Sequence, residues 1–536
     1  MDKNKDIQRL IVDKVWEDSK RFILQEISSQ GFRKLIVSAL PIPLKYAGFT
    51  AMIPENLNID DHLQAYPITN YYFACTDGVH IKTINRNRTL GSYFDKERLI
   101  YLIGLISSIP AKNKDSIDEN GFVHINTPLL RKFFKDYLSY LDYLVRTEVF
   151  TCDGHYIPGK ISRGFKFAPQ YKETRLIKYT YSTVQQGEQI EAIPSEIYDE
   201  ATKQYIPNPL LNFPYLSYWY EQKLLRIDEP KASEHAYIIM QKKFMSGVSS
   251  WDINRDKSHG NYTCRKYPRS QYNAIMHNIS SIALGEYNVK IDSNVHRLHS
   301  AITNMQKDYR KFLSYNGTPL VNIDIANSQP YLLCLLLNPL FWDKNSSLNL
   351  NIGILPPNIQ ERFSEEQIAN IVNYLHSLNL EQVQEYITKA SEGEIYDYMV
   401  NIINSRSTSN LVDRDTVKTM ILVVFFSSNR YFHQVDAKLK RVFNQHFPSI
   451  YELIRLTKSN HKEDLACLLQ SIESEIILHR CCKRIWEEGY HQVPVFTIHD
   501  SICTTVNNTE FVNKIMEQVL TESTGLLPKL KVEILN

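Results

Sequence analysis

HQVPVFTIHDSICTTV, residues 491–506, is the stretch on which the reading of this chain turns. Residues 493–498 form an apolar strand pattern and residues 502–506 a second one, with His499, Asp500 and Ser501 at the junction. Taken alone this is a hairpin with a polar turn, and His-Asp pairs are common by chance. An acid at the end of an apolar strand recurs upstream, however. TPLVNIDIANSQPYLLCLLL, residues 318–337, reads as a buried strand carrying Asp324, then a turn at 327–330, then a helix from about Tyr331. A carboxylate in so apolar a strand is costly unless something pairs with it. The plain alternative is that Asp324 caps the next helix.

Between these two acids lies DRDTVKTMILVVFFSSNRYF, residues 413–432. Arg414, Lys418, Leu422 and Phe426 are spaced four apart and so line one stripe of a helix, each about 6 Å beyond the last. Two cations followed by two apolar groups suit a nucleoside triphosphate: the cations hold the phosphates and the apolar pair packs on base and sugar. Cations near a helix N-terminus oppose its dipole, and an anionic partner explains why they are tolerated. An amphipathic helix with a basic first turn is the bland reading.

Toward the N-terminus the patterns are less specific. Leu129, Leu130, Phe133, Phe134, Tyr137, Leu138, Leu141 and Leu144 recur at helical spacing, and VFTCDGHYIPGKISRGFKFAP (149–169) then reads as two strands around Asp153-Gly154 and Pro158-Gly159 turns. Helix followed by basic hairpin is the order of a winged-helix module, with Lys160, Arg163 and Lys166 expected on phosphates. An ordinary helix and hairpin with a solvated basic tip is the alternative. Residues 171–214 look like a polar, proline-bearing connector. A second basic stretch carries Lys242, Lys243, Arg255, Lys257, Arg265, Lys266 and Arg269 among Trp251, Tyr262 and Tyr267, a composition that suits a surface tracking a sugar-phosphate backbone.

The net charge of +2 over 536 residues means that any nucleic-acid surface is a local patch. Eight scattered cysteines make no disulfide framework and no zinc spacing. No apolar run approaches the roughly 20 residues of a membrane span, and the N-terminus has no signal-like core. A cytoplasmic protein with no membrane partner is expected.

The three segments, in this order, resemble motifs A, B and C of the family A DNA polymerases and the related single-subunit phage-type RNA polymerases. IDIANSQPYLL resembles motif A, RDTVK with Phe426 resembles the fingers-helix motif B, and TIHDSI resembles motif C. Smaller likenesses are LLQSIESEII with Gln470, PKLKVE near the end, VHRLHSAITNM with Arg297, and ASEGEIYDYM as a short fingers element. The similarity covers roughly residues 295–536.

The resemblance implies an α+β right-hand polymerase: an antiparallel palm sheet with helical fingers and thumb, plus an N-terminal α+β region. The expected divisions are 1–95, of unknown role; 96–175, the candidate winged-helix module; 176–204, a connector; 205–300, a helical thumb-like region; and 301–536, palm and fingers. Motif A would span 320–333, motif B 413–432 and motif C 493–506. Two Mg²⁺ ions, replaceable by Mn²⁺, would be held by Asp324, Asp500 and the carbonyl of Ile325. Arg414 and Lys418 would bind the triphosphate, with Lys418 also donating a proton, while Leu422 and Phe426 face the base pair. His499, Arg297 and Gln470 would touch the primer or template.

Several departures bear on the sugar. Motif C has Ser501 where the DNA enzymes have Glu, as the phage-type RNA enzymes do. Leu422 replaces Phe or Met, Phe426 replaces Tyr, and Ser427 replaces Gly. Aligning Ser328-Gln329 with the family's Ser-Gln places Tyr331 at the steric gate, a bulk that would exclude ribonucleotides, with Gln329 also at the nucleotide. On this ground DNA-directed DNA synthesis from a primer is the favoured expectation, in a chain of bacterial, phage or mobile-element origin. The alternatives are an RNA polymerase or primase with the same acids, untemplated nucleotide addition, and a replication initiator or DNA-binding protein with a degenerate polymerase half.

Overall fold

The computed structural model describes residues 50–66, 94–112, most of 116–180, 204–246 and 267–535, apart from 379–380, 406–411 and 435–436, with short strand fragments elsewhere. The chain divides into two compact units. One comprises the chain up to Pro207 with Ile227–Tyr287 and Asn304–Phe312; the other comprises Asn208–Arg226, Asn288–Thr303 and Leu313–Asn536. The expected thumb-like stretch 205–300 is therefore shared between the two units. Among the described residues no helix is long and apolar enough to cross a membrane.

In the first unit, strand β1 (Thr50–Pro54) is followed by helix α1 (Lys96–Lys112), strand β2 (Val123–His124), helix α2 (Tyr137–Arg146) and a hairpin of β3 (Phe150–Cys152) and β4 (Gly164–Phe167). The three short strands form a sheet in the order β2-β4-β3. Helix α1 is buried on all sides from Leu99 to Ala111, as a core helix must be when it is apolar all round. Strand β5 (Leu176–Thr180) pairs antiparallel with β1, so the expected connector begins inside a sheet. Helices α3 (Glu229–Ser246) and α4 (Pro268–Leu284) belong to the same unit.

The basic residues expected on nucleic acid here are accounted for differently. Lys166 donates to the Asn120 carbonyl at 2.9 Å, with its ammonium 4.1 Å from the Phe122 ring centroid and 5.3 Å from that of Tyr267. Arg269 is buried, donates to the Thr174 carbonyl, and is pushed down to about 10 by that burial. Lys243 donates to Gln271 at 2.7 Å. Burial commits Arg269 to the interior, which corrects the expectation for it; Lys166 and Lys243 are half-buried with partners within the protein, and Arg163 and Lys242 are exposed. Lys160, Trp251, Arg255, Lys257, Tyr262, Arg265 and Lys266 lie outside the described residues, as do Leu129, Phe133, Phe134 and the 158–159 turn.

The second unit is organised on an antiparallel sheet. Strand β6 (Leu313–Tyr315) leads into β7 (Thr318–Ile325); β8 (Phe496–Ile498) and β9 (Ser501–Thr505) form a hairpin; β10 (Leu530–Ile534) is the last strand. β7 pairs with β6, β9 and β10, and β9 with β8. Leu320, Val321, Ile323 and Ile325 of β7 and the whole of β9 are buried. The fold is α+β, with the acids of interest on the sheet's central strand and on its hairpin turn.

Candidate active site

Asp324 sits within β7, opposite Ser501 of β9 on one side and Lys531 of β10 on the other. The next helix, α5 (Ser328–Leu333), is preceded at its cap position by Asn327, so Asp324 is not a helix cap. Strand side chains alternate faces, which sets Asn322 beside Asp324. The Asn322 Oδ1 accepts from Ser501 Oγ at 2.7 Å and Cys503 Sγ at 3.1 Å, tying the two strands on that face.

Asp500 occupies the two-residue turn between β8 and β9, and the Ile498–Ser501 pair closes it. His499, the first turn residue, has φ 57°, as tight hairpin turns require. The register therefore sets Asp500 one residue from the cross-strand partner of Asp324. His499 is exposed and Asp500 half-buried.

Helix α6 (Ile395–Ser405) carries Tyr396 into this neighbourhood. Its phenol is pushed up to about 12 by burial, with Arg414 pulling the other way and the charges of Asp500 and Asp324 adding to the rise. Gly393, just before α6, has φ +74°, and a Cβ there would lie 2.6 Å from Ala326 Cβ. The Lys529 amide donates to the Ser391 carbonyl at 3.0 Å and the Ala326 amide to the Lys529 carbonyl at 2.8 Å. This segment thus abuts the end of β7, and a side chain at 393 would wedge it away.

Helix α7 (Arg414–Phe426) begins where the spacing predicts, because Asp413 caps it by accepting from the Thr416 amide at 2.8 Å. Val417, Met420, Ile421, Val424 and Phe425 are buried. Lys418 and Leu422 are exposed and Arg414 and Phe426 half-buried, so the stripe lies on the outward face. Arg414 pairs with Asp397 at 3.2 Å and lies 5.2 Å from the Tyr396 ring centroid.

The far end of α7 is held by two buried lysines, Lys440 of helix α8 (Lys438–His446) and Lys458, the residue just beyond helix α9 (Pro448–Thr457). Lys440 donates to Ser427 Oγ and the Ser428 carbonyl, both at 2.9 Å. Lys458 donates to the Val424 carbonyl at 2.8 Å and the Ser427 carbonyl at 2.9 Å. The last carbonyls of a helix have no partner within it; here the Lys458 ammonium supplies one to Val424 at the negative end of the dipole, while Lys440 holds the two serines that follow the helix. Burial holds Lys440 down at about 8, and Lys458 well below its ordinary value, with Lys440 adding to the latter.

Glu473, which no sequence motif singled out, organises the other flank. It lies three residues after Gln470 on helix α10 (Asp464–Ser474), buried, paired with Arg297 and accepting from Gln329 Nε2 at 2.7 Å. Burial pushes its carboxyl up to about 7; Arg297 opposes the shift and Asp500 adds to it. Arg297 and Gln329, expected on the primer and the nucleotide, both meet this buried acid, and each keeps a polar atom, Arg297 Nε and Gln329 Oε1, that makes no hydrogen bond. Gln470 remains half-buried on the same helix. The sequence offered little to single it out, since LLQSIESEII carries two acids, Glu473 and Glu475, among polar Gln470, Ser471 and Ser474.

Tyr331 is fully buried and its hydroxyl bonds Thr524 Oγ1 at 2.7 Å and the Leu526 carbonyl at 2.8 Å, at the end of helix α11 (Thr509–Thr524). It faces away from solvent, so the steric-gate expectation is corrected: the rotation of α5 puts that ring in the core.

No protein-family model and no curated protein matches the chain. Among solved structures it is similar to the POL domain of Pol1 from M. smegmatis in complex with DNA primer-template and dNTP. The identity is 10% and the TM-score 0.24, over 59% of this chain and 69% of that one. An overlap this loose carries no argument about the chemistry of this chain, which rests on its own residues.

Proposed function

We propose that the second unit is a template-directed nucleic-acid polymerase, a nucleotidyltransferase that extends a primer 3′-hydroxyl with nucleoside triphosphates. The observation that carries this reading is Tyr396, whose ring lies beside Arg414 and within electrostatic reach of both Asp324 and Asp500. It links the cationic start of α7 to two carboxylates on neighbouring elements of one sheet. Phosphoryl transfer needs such a set, because most of its catalysis is positioning and charge stabilisation.

The donor set fits divalent magnesium, which takes oxygen ligands and is commonly held by one or two carboxylates plus substrate phosphates. Asp324, Asp500 and the Ile325 carbonyl would hold two Mg²⁺, or Mn²⁺, supplying activation of the 3′-hydroxyl and stabilisation of the departing pyrophosphate. The chain's own groups do the rest. Arg414 exchanges Asp397 for the triphosphate, and Lys418, exposed one turn on, neutralises it and gives a proton to the leaving pyrophosphate. Leu422 and Phe426 cover the base. His499, on the turn beside Asp500, and Gln470 face primer and template.

DNA-directed DNA synthesis stays the first assignment on the motif A likeness at Ser328-Gln329 alone, because the Tyr331 bulk that favoured it lies in the core. RNA synthesis is the second reading, favoured by the burial of Tyr331, which removes the steric argument against a 2′-hydroxyl. The test is primer extension with Mg²⁺ on a defined template, with dNTPs and NTPs supplied separately, beside Asp500→Ala. Extension undiminished in that variant ends the two-aspartate reading, and extension with NTPs alone overturns the DNA assignment.

A further inference from the structure

We infer that Asp118, His124 and Asp153 of the first unit form a binding site for one zinc-class divalent cation, which pins the base of the β3–β4 hairpin. One ligand atom from each lies within 4.8 Å of the other two. Zinc–nitrogen and zinc–oxygen bonds run about 2.0–2.2 Å, so each group need shift by only about 1 Å or less to close on a metal.

Each ligand is held in place by something else. His124 Nδ1 lies 2.7 Å from the Ser162 carbonyl, which only accepts, so Nδ1 carries the proton and Nε2 presents its lone pair. That Nε2 is buried and has no hydrogen-bond partner; the nearest acid oxygen, Asp118 Oδ2, is 3.6 Å away. An imidazole oriented through one nitrogen by a backbone carbonyl, with the other aimed at carboxylates, is the usual outer-shell arrangement of a metal-ligating histidine. Asp118 spends its Oδ1 on the amides of Asn120 at 2.9 Å and Phe122 at 2.8 Å, which leaves Oδ2 toward the imidazole.

Gly164 supplies the space. It is the cross-strand partner of His124 on β4, and its carbonyl accepts from the Asp153 amide at 3.1 Å. A Cβ at this position would lie 2.5 Å from Asp153 Oδ2 and 2.8 Å from Phe122 Cβ. The glycine in the middle strand therefore allows side chains from the two outer strands to meet above it. One imidazole with two carboxylates selects zinc, or cobalt in its place, over Mg²⁺, which prefers an all-oxygen set. Three protein ligands leave a position for water.

The test uses the full chain with Asp324→Ala and Asp500→Ala, so that the palm acids take no metal and the outcome is separate from that of the polymerase assay. Chelator-stripped protein is titrated with Co²⁺, read by its visible absorption, and then with Zn²⁺ in competition. One equivalent is expected, with a rise in melting temperature on adding Zn²⁺. His124→Gln and Asp153→Asn should each weaken affinity by about 10–100-fold, and Gly164→Ala, which alters no ligand, should also weaken it. Absence of a tight equivalent, or the same affinity in His124→Gln and Asp153→Asn, overturns the site; equal affinity for Mg²⁺ overturns the zinc class. Should His124→Gln fail to fold, Asp153→Asn and Gly164→Ala decide.

Discussion

Cations meet helix α7 at both ends and are treated in opposite ways. At its start Arg414 and Lys418 face outward, one shared with Asp397 and the Tyr396 ring, the other exposed. At its end Lys458 is buried against the Val424 carbonyl of the helix and Lys440 against the two serines just beyond it, and desolvation holds both below the ordinary lysine value. The first pair opposes the helix dipole and is the one proposed to take the triphosphate; the second complements the dipole and is satisfied within the fold. Basic residues near one helix therefore differ according to which groups of the protein they can reach.

The widest separation between the two ends should appear in catalysis. Asp324→Ala and Asp500→Ala are expected to reduce primer extension by on the order of 10³-fold or more, since they remove the groups proposed to hold the metal ions. Circular dichroism should show the fold intact. Arg414→Ala and Lys418→Ala should each cost on the order of 10²-fold in kcat/KM with little change in melting temperature. A large stability loss from either would erase the distinction between the two ends.

Lys458→Met reverses that pattern. It leaves the Val424 and Ser427 carbonyls without their donor, and each unsatisfied buried group costs about 1–3 kcal/mol. Chemical denaturation should register the loss, and single-turnover extension at low temperature should be nearly unchanged. Gly393→Ala is expected to be intermediate: a Cβ against Ala326 displaces Tyr396 and Arg414 together, and nucleotide KM should rise more than stability falls.

The smallest expected effect is a pH dependence. The Glu473 carboxyl is raised by burial from 4.5 to about 7, so the stability tied to its protonated form is complete below 4.5 and is lost as pH rises through about 7. The denaturation midpoint should fall across that window in the parent and flatten there in Glu473→Gln. A parent midpoint that rises between about pH 5 and 7 would mean that pairing with Arg297 outweighs burial.

Much of the second unit was legible in the chain. The strand carrying Asp324, the hairpin around 499–500 and the helix bearing the Arg414–Phe426 stripe arise from period and turn residues; the Asp413 cap that starts the helix was seen only in the structure. Residues whose roles depend on packing between elements were not. Tyr331 reads as the aromatic that directly follows a turn, and only the position of α11 decides that its hydroxyl points inward. Arg269 and Lys166 read as a basic surface, yet one is buried and the other lies between aromatic rings. Asp118, His124 and Asp153 have no recognisable spacing, because the β2-β4-β3 strand order brings them together around a glycine.

By itself the sequence determined which residues carry charge into apolar strands, where the helix with the Arg414–Phe426 stripe begins, and the order of acid, cationic helix and acid along the chain. Those are local properties, set by the periods of strand and helix and by turn and cap chemistry. Only the tertiary structure decided which polar groups find partners inside the molecule: Arg297 and Gln329 at Glu473, Tyr331 at Thr524, Lys440 and Lys458 at the end of α7. The physical reason is desolvation. A buried charge or hydroxyl must find its partner within the fold, and that partner is set by which elements pack together, at separations along the chain that no local pattern records.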